Sequence, residues 1–517
     1  MNNTDSPYTI LAPRDDVITL MGDGKLPEPG STELARLLKY HFLPGQWNPK
    51  KLKDGMLVQT ALEESGLNGG KQVLGIGVTS KGEDPELTFG GAGVIGGKPR
   101  KLCFFESIHH TYDVFAVEFN NTIIYLITRP LTPPQDALAA ALPSLQFSVF
   151  LAAVFSSSLS NKLGTAKSTT LLIPRNTAFE QLGLVTTHLL LSSSKPDLEK
   201  VIQHHVVTEV AYADQILNGS RKAYPTLEDS DIQVDRLANG SVFFEPSGGW
   251  DGLRGQIGSG QTNILTRTGV IHEISGVMLP RTLEITIEKL ANAAKGSTMA
   301  SLAVKAGMGW VLNGTAPPAG SEWADAGIKG GGWTLLCPTD ASFKGVNMTL
   351  LWSDVPAMRK LVEQHLIPAP SAGDIAKSED PNRPLLFDGK ATYSTLLSKS
   401  SLYGDVVFRL KNEKNLAQGY IVGIKDARGT NKENDWANVV SWGRSTQGST
   451  GGVVQIDRLL LPYEPAWWIE YGPPVMVGVL GVGLIGAFFW GLRWLWRRDN
   501  AEATYEPVGG FDREDDD

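Results

Sequence analysis

The stretch that decides the fold is TLLIPRNTAF at residues 170–179, because its pattern occurs three times in the chain. The other copies are TILAPRDDVI at residues 9–18 and TLLCPTDASF at residues 334–343. In each copy a short apolar run, typical of a buried strand, stops at a proline that cannot donate to a sheet ladder. An Asp or Asn two residues later favours a helix N-cap, and the large residue three positions past it is predicted to point inward. These inward residues are Ile18, Phe179 and Phe343.

A second repeated pattern combines an apolar helical stripe with a histidine. The three frames are 34–42, 198–206 and 358–366, with His41, His205 and His365 at position i+7. Apolar residues at i, i+3, i+4 and i+8 lie on one side of a 3.6-residue helix, so each histidine is expected to face a core. Successive copies lie about 160 residues apart, which indicates whole domains, since solenoid repeats are roughly 20 to 50 residues long.

The repeats predict three domains with boundaries at 1–134, 135–281 and 282–464. Each ends in an alternating strand that leads to proline, at 122–127, 269–274 and 451–456. Helices are predicted early in each unit, including apolar stretches at 137–163 and 285–306, and strands late, which is the α+β pattern. Polar and glycine-rich insertions at 316–332 and 412–448 make the loops of the third unit the hardest to predict.

Composition excludes several classes of protein. A net charge of -8 without a long basic cluster argues against a nucleic-acid surface. The two cysteines, Cys103 and Cys337, lie in different units and provide no disulfide framework. We interpret them as small buried apolar side chains, and a bridge between them is the alternative.

The segment 475–496 is predicted to be a single transmembrane helix. It carries no charge up to Leu492, is flanked by tryptophan and tyrosine, and reaches the roughly 20 residues needed to cross a bilayer. Arginines follow the segment and glutamates precede it, so the positive-inside rule places 497–517 in the cytosol and the three units outside, a type I topology. The alternative is a core helix.

A protein of this topology is expected to begin with a signal peptide, yet residues 1–6 are polar and Tyr8 already enters the first strand. We therefore expect the first unit to lack its true amino-terminal part. The alternative is a tail-anchored protein with cytosolic domains, which reverses the charge rule.

Two kinds of short motif agree with a type I topology. The sequons precede the span and predict N-glycosylation at Asn2, Asn120, Asn218, Asn239, Asn313 and Asn347. In the tail, Tyr505 and Val508 of YEPV resemble a sorting motif read by clathrin adaptors. Such a motif would route the protein to an endosomal, lysosomal or vacuolar membrane.

Together these motifs resemble the fasciclin-like (fasciclin I) domain family, in particular multi-domain fungal members. The strand–proline element is similar to the first family signature, Tyr40-His41 to the central motif, and GVIHEISGVMLP at 269–280 to the second signature. The first unit departs with NTIIY at 121–125, and the third with VVQ at 453–455. The resemblance implies a β-wedge flanked by helices and adhesion-type roles, with receptor binding near Tyr40-His41, and does not imply an enzyme.

No enzymatic chemistry or cofactor is predicted. The three repeated histidines lie in separate units without a second ligand at metal spacing, so we expect core histidines that donate to a backbone carbonyl. GAGVIG at 91–96 matches the dinucleotide fingerprint, but Gly97-Lys-Pro99 follows where a helix must begin. We therefore predict a glycine-rich turn between strands.

The sequence thus predicts a non-enzymatic single-pass membrane glycoprotein at the vacuolar or plasma membrane, serving adhesion, protein interaction or membrane contact. The expected partners are the membrane, proteins or glycans outside the cytosol, and a clathrin adaptor at the tail. The alternative is a module that binds a lipid or small apolar ligand at the vacuolar membrane, which a large apolar pocket would favour. An enzyme would need a convergent polar cluster.

Overall fold

A computed structural model of the chain describes residues 7–15, 27–79, 86–95, 116–119, 121–213, 222–239, 241–250, 253–256, 262–328, 332–369, 382–387, 392–411, 419–425, 436–446, 451–464, 468 and 471–499. The chain forms two compact parts, Met1–Leu461 and Pro462–Asp517. The three units predicted above lie in the first part, except for residues 462–464 at the end of the third.

The first unit contains two four-stranded sheets, ordered β2-β1-β8-β7 and β3-β4-β5-β6. Its elements are β1 (Tyr8–Pro13), α1 (Thr32–Tyr40), β2 (Phe42–Pro44), β3 (Leu57–Glu63), β4 (Lys71–Thr79), β5 (Glu86–Phe89), β6 (Ala92–Gly93), β7 (Ala116–Phe119) and β8 (Thr122–Ile127), with 3-10 turns at Pro49–Lys51 and Ser65–Leu67. The glycine-rich turn predicted at 91–96 is shifted, since Gly90 and Gly91 join β5 to β6 with φ of 54° and 75°, and Ala92–Gly93 form β6 itself. Residues 96–115 lie outside the described part of the chain.

The second unit repeats this plan with sheets ordered β10-β9-β16-β15 and β11-β12-β13-β14. Its helices are α2 (Ala137–Ala141), α3 (Ser148–Ser156), α4 (Ser160–Thr165), α5 (Asn176–Gln181), α6 (Leu184–Leu189) and α7 (Lys195–His204), with 3-10 turns at Leu145–Phe147 and Ser192–Ser194. Its strands are β9 (Thr169–Pro174), β10 (Val206–Val207), β11 (Lys222–Pro225), β12 (Asp231–Arg236), β13 (Val242–Glu245), β14 (Gly255–Gln256), β15 (Ile264–Thr266) and β16 (Gly269–Ile274).

The third unit joins its strands into one seven-stranded sheet, ordered β18-β17-β23-β22-β21-β20-β19. Its helices are α8 (Ile287–Ala293), α9 (Ser297–Lys305), α10 (Gly309–Leu312), α11 (Glu322–Asp325), α12 (Met348–Ser353) and α13 (Val355–Gln364), with 3-10 turns at Asp340–Phe343 and Leu396–Lys399. Its strands are β17 (Trp333–Pro338), β18 (Leu366–Pro368), β19 (Thr392–Tyr393), β20 (Val406–Lys411), β21 (Gly419–Ile424), β22 (Trp436–Arg444) and β23 (Gly452–Ile456).

The same three-strand motif occurs in every unit. The strand that ends at proline pairs in parallel with the last long strand, as Thr9 with Ile123, Thr170 with Val270 and Thr334 with Gly452. It pairs antiparallel with the short strand that follows the histidine. All six residues of β9 and of β17 are buried, which explains why these strands read as continuous apolar runs rather than alternating ones.

The insertion at 412–448 was expected to be a loop, and this was wrong, because most of its described residues form β21 and β22. The start of β22, Trp436 to Asn438, pairs with β21, and its remainder to Arg444 pairs with β23, which fuses what are two sheets elsewhere. Its sequence, WANVVSWGR, is rich in aromatic and β-branched residues, which favour a strand.

The histidine helices end two residues before the predicted frames, because the last residues of these frames, Phe42, Val206 and Leu366, begin the next strands. Each histidine occupies the C-cap of α1, α7 or α13 and not a helical position on the stripe. The stripe is fully buried in the second and third units, but in the first unit Leu38 is 50% exposed. Here Leu37 and Tyr40, three positions apart, form the buried face instead.

The N-caps predicted at Asn176 and Asp340 were also wrong, because each side chain caps a helix that precedes it in the sequence. Asn176 and Asp340 lie inside the first turns of their own helical segments, and their side chains cap a different helix. Asn176 Oδ1 accepts from Val149 N at 3.0 Å, at the start of α3. Asp340 Oδ1 accepts from Thr298 N at 2.7 Å, at the start of α9. The inward-pointing Phe179 and Phe343 are confirmed, and Asp16 to Ile18 lie outside the described residues.

The long apolar helices expected at 137–163 and 285–306 are broken. The first stretch forms α2, a 3-10 turn, α3 and α4, and the second forms α8 and α9. Pro143 interrupts the first stretch, because a proline inside a helix removes a hydrogen bond. Gly296 interrupts the second, where an added Cβ would overlap the sulfur of Cys337.

A polar junction joins the first and second units. Glu64 is buried, and its carboxylate accepts from Arg36 Nε at 2.6 Å in the first unit. Its other oxygen lies 3.4 Å from Nε of Arg267, which belongs to the second unit. The buried side chain of Gln72 donates to Thr266 O at 2.9 Å. A small apolar cluster of Val73, Tyr212 and Val270 completes the junction.

The second and third units instead share one apolar core. A single cluster of buried side chains extends from Ala137 to Val453 and includes residues of both units. Gly443 of β22 lies against α6, where an added Cβ would stand 2.8 Å from Leu184 Cβ. Asn382 links the units by donating to Gln181 O at 2.9 Å and accepting from Arg444 N at 3.3 Å.

The second compact part contains α14 (Gly472–Asp499), a helix of 28 residues. Residues Gly472–Arg498 have a mean hydropathy of 2.2 in their most apolar window, none of which is buried in the protein. By length and composition this helix can cross a membrane, and it encloses the predicted segment 475–496.

Candidate functional site

Each repeated histidine makes the same two side-chain hydrogen bonds. The Nδ1 atoms of His41, His205 and His365 lie 2.9, 2.7 and 2.8 Å from the backbone oxygen four residues earlier. The Nε2 atoms accept from backbone N–H groups of Leu131, Met278 and Leu460 at 2.9, 3.0 and 3.2 Å. Because an amide N–H can only donate, Nε2 carries no proton and Nδ1–H donates to the carbonyl.

The histidine backbone adds a third connection. The carbonyl oxygens of His41, His205 and His365 accept from Leu11, Leu172 and Leu336 N at 2.8 to 2.9 Å. Each histidine therefore connects three segments: its own helix, the strand that ends at proline, and the segment after the last strand of the unit. That its role is architectural remains our prediction.

Burial keeps these imidazoles neutral. Desolvation lowers the pKa of His205 to about 3 and that of His365 to about 4, and it lowers the pKa of His41 as well. The hydrogen bond from Nδ1 to the backbone opposes this shift but is the smaller effect in all three. No group of three or more His, Cys, Asp and Glu side chains that could hold a metal ion occurs among the described residues.

Tyr40 and His41, the pair that resembles the central family motif, are not accessible to a partner. Their exposed fractions are 4% and 5%. The Tyr40 hydroxyl donates to Val73 O at 3.4 Å, and burial raises the pKa of this phenol above its usual range. A receptor cannot reach either side chain in this fold.

The structure contains a buried polar cluster that sequence reasoning missed. His204 is fully buried, its Nδ1 lies 3.0 Å from Ser230 Oγ, and its Nε2 accepts from Ser247 N at 3.4 Å. Ser230 in turn donates to a carboxylate oxygen of Glu228, and Thr282 donates to the other. Desolvation lowers the pKa of His204 to about 4. The neutral Nδ1–H therefore donates toward Ser230, and the chain of donors ends at Glu228.

This cluster differs from a nucleophilic Ser-His-acid arrangement. Such a site needs an accessible hydroxyl whose proton points to the histidine. Here the more exposed hydroxyl, Ser247, donates to Ser230 Oγ at 3.1 Å, and its own oxygen accepts from Arg281 N at 3.1 Å. The geometry holds the β11–β12 turn and the start of the third unit to the end of α7.

An open cleft of about 460 Å³ lies next to this cluster. Polar, apolar and glycine residues line it, namely Glu245, Pro246, Ser247, Gly248, Gly249, Trp250, Leu253 and Arg254. The lining carries one acidic and one basic side chain and is not the large apolar pocket that a lipid-binding module would require.

The predicted modification and sorting residues lie on the surface or outside the described residues. Asn239, Asn313 and Asn347 are exposed, and Asn347 Oδ1 also caps α12 by accepting from Leu350 N at 3.2 Å. Asn2, Asn120 and Asn218 lie outside the described part of the chain, as do Cys103, Tyr505 and Val508. Cys337 is a buried free thiol within the apolar core.

These observations define a class of protein, a tandem α+β chain whose repeated units combine a parallel strand pair with a histidine-capped helix. Comparison with known proteins finds a family match over part of the chain. A Fasciclin domain model matches residues 1–96 and 145–280.

Two curated proteins also match parts of the sequence. A Fasciclin-like arabinogalactan protein of the fungus Arthroderma benhamiae is 29% identical over 169 residues, which cover 32% of this chain and 35% of that protein. Human Periostin is 23% identical over 252 residues, which cover 48% of this chain and 26% of Periostin. The matches thus span between a quarter and about a third of the relatives' lengths.

A solved structure is also similar, the FAS1 domain pair from the insect cell adhesion molecule Fasciclin I. It is 18% identical and covers 53% of this chain and 90% of that chain, with a TM-score of 0.27.

Proposed function

We propose that this chain is a single-pass membrane glycoprotein whose three fasciclin-like units, 1–134, 135–281 and 282–464, act non-enzymatically as one interaction surface for adhesion outside the cytosol. The proposal rests on the way the three units are packed against one another along the chain. Domains of one chain usually move relative to each other unless their interface is large and apolar. Here the second and third units share one core, and the first is attached through buried polar contacts.

The third unit is included although the family match ends at residue 280. It has the same parallel strand pair, β17 with β23, and its histidine makes the same two hydrogen bonds as the other two. The proposal that 282–464 is a third fasciclin-like unit rests on this repeated geometry.

Membrane anchorage is supported by α14, which is long and apolar enough to span a bilayer. The arginines at its end, Arg493, Arg497 and Arg498, would then face the cytosol with the tail. The exposed sequons at Asn239, Asn313 and Asn347 would face the lumen or the cell exterior, where glycosylation occurs.

The topology is tested with the full chain carrying a C-terminal tag. We expect an endoglycosidase to reduce the apparent mass of the protein, and Asn239→Gln, Asn313→Gln and Asn347→Gln each to reduce the number of glycans by one. In sealed vacuoles or microsomes, whose cytosolic face is outward, added protease should remove the tag and leave the three units protected. The matched control is Asn292→Gln, an exposed asparagine outside any sequon. An unglycosylated protein whose three units are digested while the tag is protected would contradict the proposal.

The vacuolar or endosomal destination is tested at the tail. We expect Tyr505→Ala to move the protein from internal membranes to the plasma membrane, because a clathrin adaptor could no longer bind the motif at Tyr505 and Val508. Glu506→Gln, which leaves both motif residues in place, is the control. An unchanged location of Tyr505→Ala would show that the tail motif does not sort the protein.

A further inference from the structure

The cleft beside Ser247 is lined by residues of the second unit, next to its contact with the third. Trp250, one of its lining residues, is 7% exposed, and the guanidinium of Arg444 from the third unit lies 5.8 Å from its ring centre. Gly248 packs so closely on the segment joining the units that an added Cβ would stand 2.6 Å from Pro280 C. The cleft therefore lies beside the junction of the two units, and junctions of this kind are frequent locations of ligand sites.

The lining has the chemistry of a site for a neutral polar ligand. Glu245 can accept hydrogen bonds and Arg254 can donate them, and their charges balance. The Arg254 guanidinium lies 4.6 Å from the centre of the Phe243 ring, which restricts its position. Leu253 and the edge of Trp250 add apolar surface. A sugar residue presents hydroxyls that donate and accept, together with apolar C–H faces, and matches this combination.

The buried cluster behind the cleft orients one of its polar groups. The Ser247 hydroxyl donates inward to Ser230 Oγ, and Ser230 donates to Glu228. With its hydrogen fixed inward, the Ser247 oxygen can only accept from a ligand hydroxyl. A group fixed in advance loses little entropy on binding, which favours recognition of small ligands.

We propose that this cleft binds a single neutral sugar residue of a glycan. The inference rests on the proposed function, since glycans of partner molecules are found outside the cytosol. It deepens that function because it makes the junction of the second and third units the point at which adhesion occurs.

The test uses the full chain in lipid nanodiscs free of glycoside detergent, which would itself occupy the cleft. Galactose, mannose, glucose and N-acetylglucosamine are titrated separately, and binding is followed by saturation-transfer NMR. We expect saturable binding of at least one sugar at millimolar concentration. Glu245→Gln and Arg254→Ala should each weaken it by roughly tenfold or more, the effect of losing one charge-assisted hydrogen bond.

The matched control is Arg409→Ala. Arg409 is also exposed and lies 4.7 Å from an aromatic ring centre, that of Trp436, but it is not part of the cleft. Retained binding in this variant supports the proposal. Equal loss in Arg254→Ala and Arg409→Ala, or no saturable binding of any of the four sugars, would overturn it. Failure here with correct glycosylation and tail topology would leave the proposed membrane function intact.

Discussion

At the scale of single residues, the three repeated histidines make the same set of hydrogen bonds, which supports the prediction that they are architectural. The imidazole is one of few side chains that can donate at one edge and accept at the other while remaining neutral. His41, His205 and His365 use both edges on buried backbone groups, a carbonyl of the preceding helix and an N–H after the last strand of the unit. Since an unsatisfied buried polar group costs about 1 to 3 kcal/mol, replacement of this residue should lower the free energy of unfolding.

We therefore expect His205→Phe to lower the free energy of unfolding by about 1 to 3 kcal/mol, because Met278 N loses its partner and Val201 O keeps only the bond from the backbone N of residue 205. Urea denaturation measures this change. The neighbouring Gln203→Ala, on the same helix but only half-buried, should change the stability by less than about 1 kcal/mol. Similar losses in the two variants would contradict the role assigned to the imidazole.

The same histidines predict how stability depends on pH. Burial lowers the folded-state pKa of His205 to about 3 and of His204, His272 and His365 to about 4, whereas an unfolded histidine has a pKa of about 6.5. Below pH 6.5 the unfolded state therefore binds more protons, and the folded state loses stability as the pH falls toward 4.

We expect each of these groups to contribute a slope of up to about 1.4 kcal/mol per pH unit in that window. Urea midpoints measured between pH 7.5 and 4.5 check the prediction, and His365→Phe should reduce the slope by one such contribution. The lowered pKa values of Asp197 and Asp340 act only below their ordinary value of 3.8, so they do not affect this window. A flat profile above pH 4.5 would be inconsistent with neutral buried imidazoles.

At the scale of elements, the strand–proline–Asp/Asn motif stabilises a helix that precedes it in sequence. Asn176 caps α3, and Asp340 caps α9, where Ser297 Oγ also donates to it at 2.8 Å. These contacts span 27 and 42 residues and attach the helical layer to the end of the buried strand. The motif is therefore a tertiary contact rather than a local cap.

We expect Asp340→Ala to lower the free energy of unfolding by about 1 to 2 kcal/mol, the usual effect of losing an N-cap, and to accelerate hydrogen exchange at Thr298 N. Asp340→Asn keeps an oxygen acceptor at the same position and should lose less than half of that. If the two variants behave alike, the charge rather than the cap is what matters at this position.

Local pattern predicted the strands well and the helices less well. The strands at 122–127 and 269–274 coincide with β8 and β16, because an alternating or fully apolar run is a local signal. The capping of α9 by Asp340 could not be predicted, since both local and distant caps use the same residue types. The cluster of His204, Ser230, Glu228 and Ser247 has no characteristic spacing, because only the folded loops bring it together.

At the scale of the whole molecule, the two junctions differ in chemistry. The second and third units are held by a shared apolar core, whose contribution is spread over many side chains. The first junction depends on few groups, chiefly Glu64 with Arg36 and Arg267 and the hydrogen bond from Gln72 to Thr266. Loss of one buried partner should therefore separate the first unit and leave the other two together.

We expect Glu64→Ala to weaken the first junction, because it leaves two arginines without their shared carboxylate. Since Arg36 and Arg267 are 29% and 52% exposed, water offsets part of the loss, and we expect about 1 to 2 kcal/mol rather than the 3 to 5 of a fully buried pair. The first unit should then unfold in a separate, earlier thermal transition, with faster hydrogen exchange near Gln72. Glu209→Gln, which removes an exposed ion pair with Lys222, is the matched control and should change stability by less than about 1 kcal/mol. A single unshifted transition in Glu64→Ala would mean that the apolar contacts of Val73, Tyr212 and Val270 are sufficient to hold the first unit in the array.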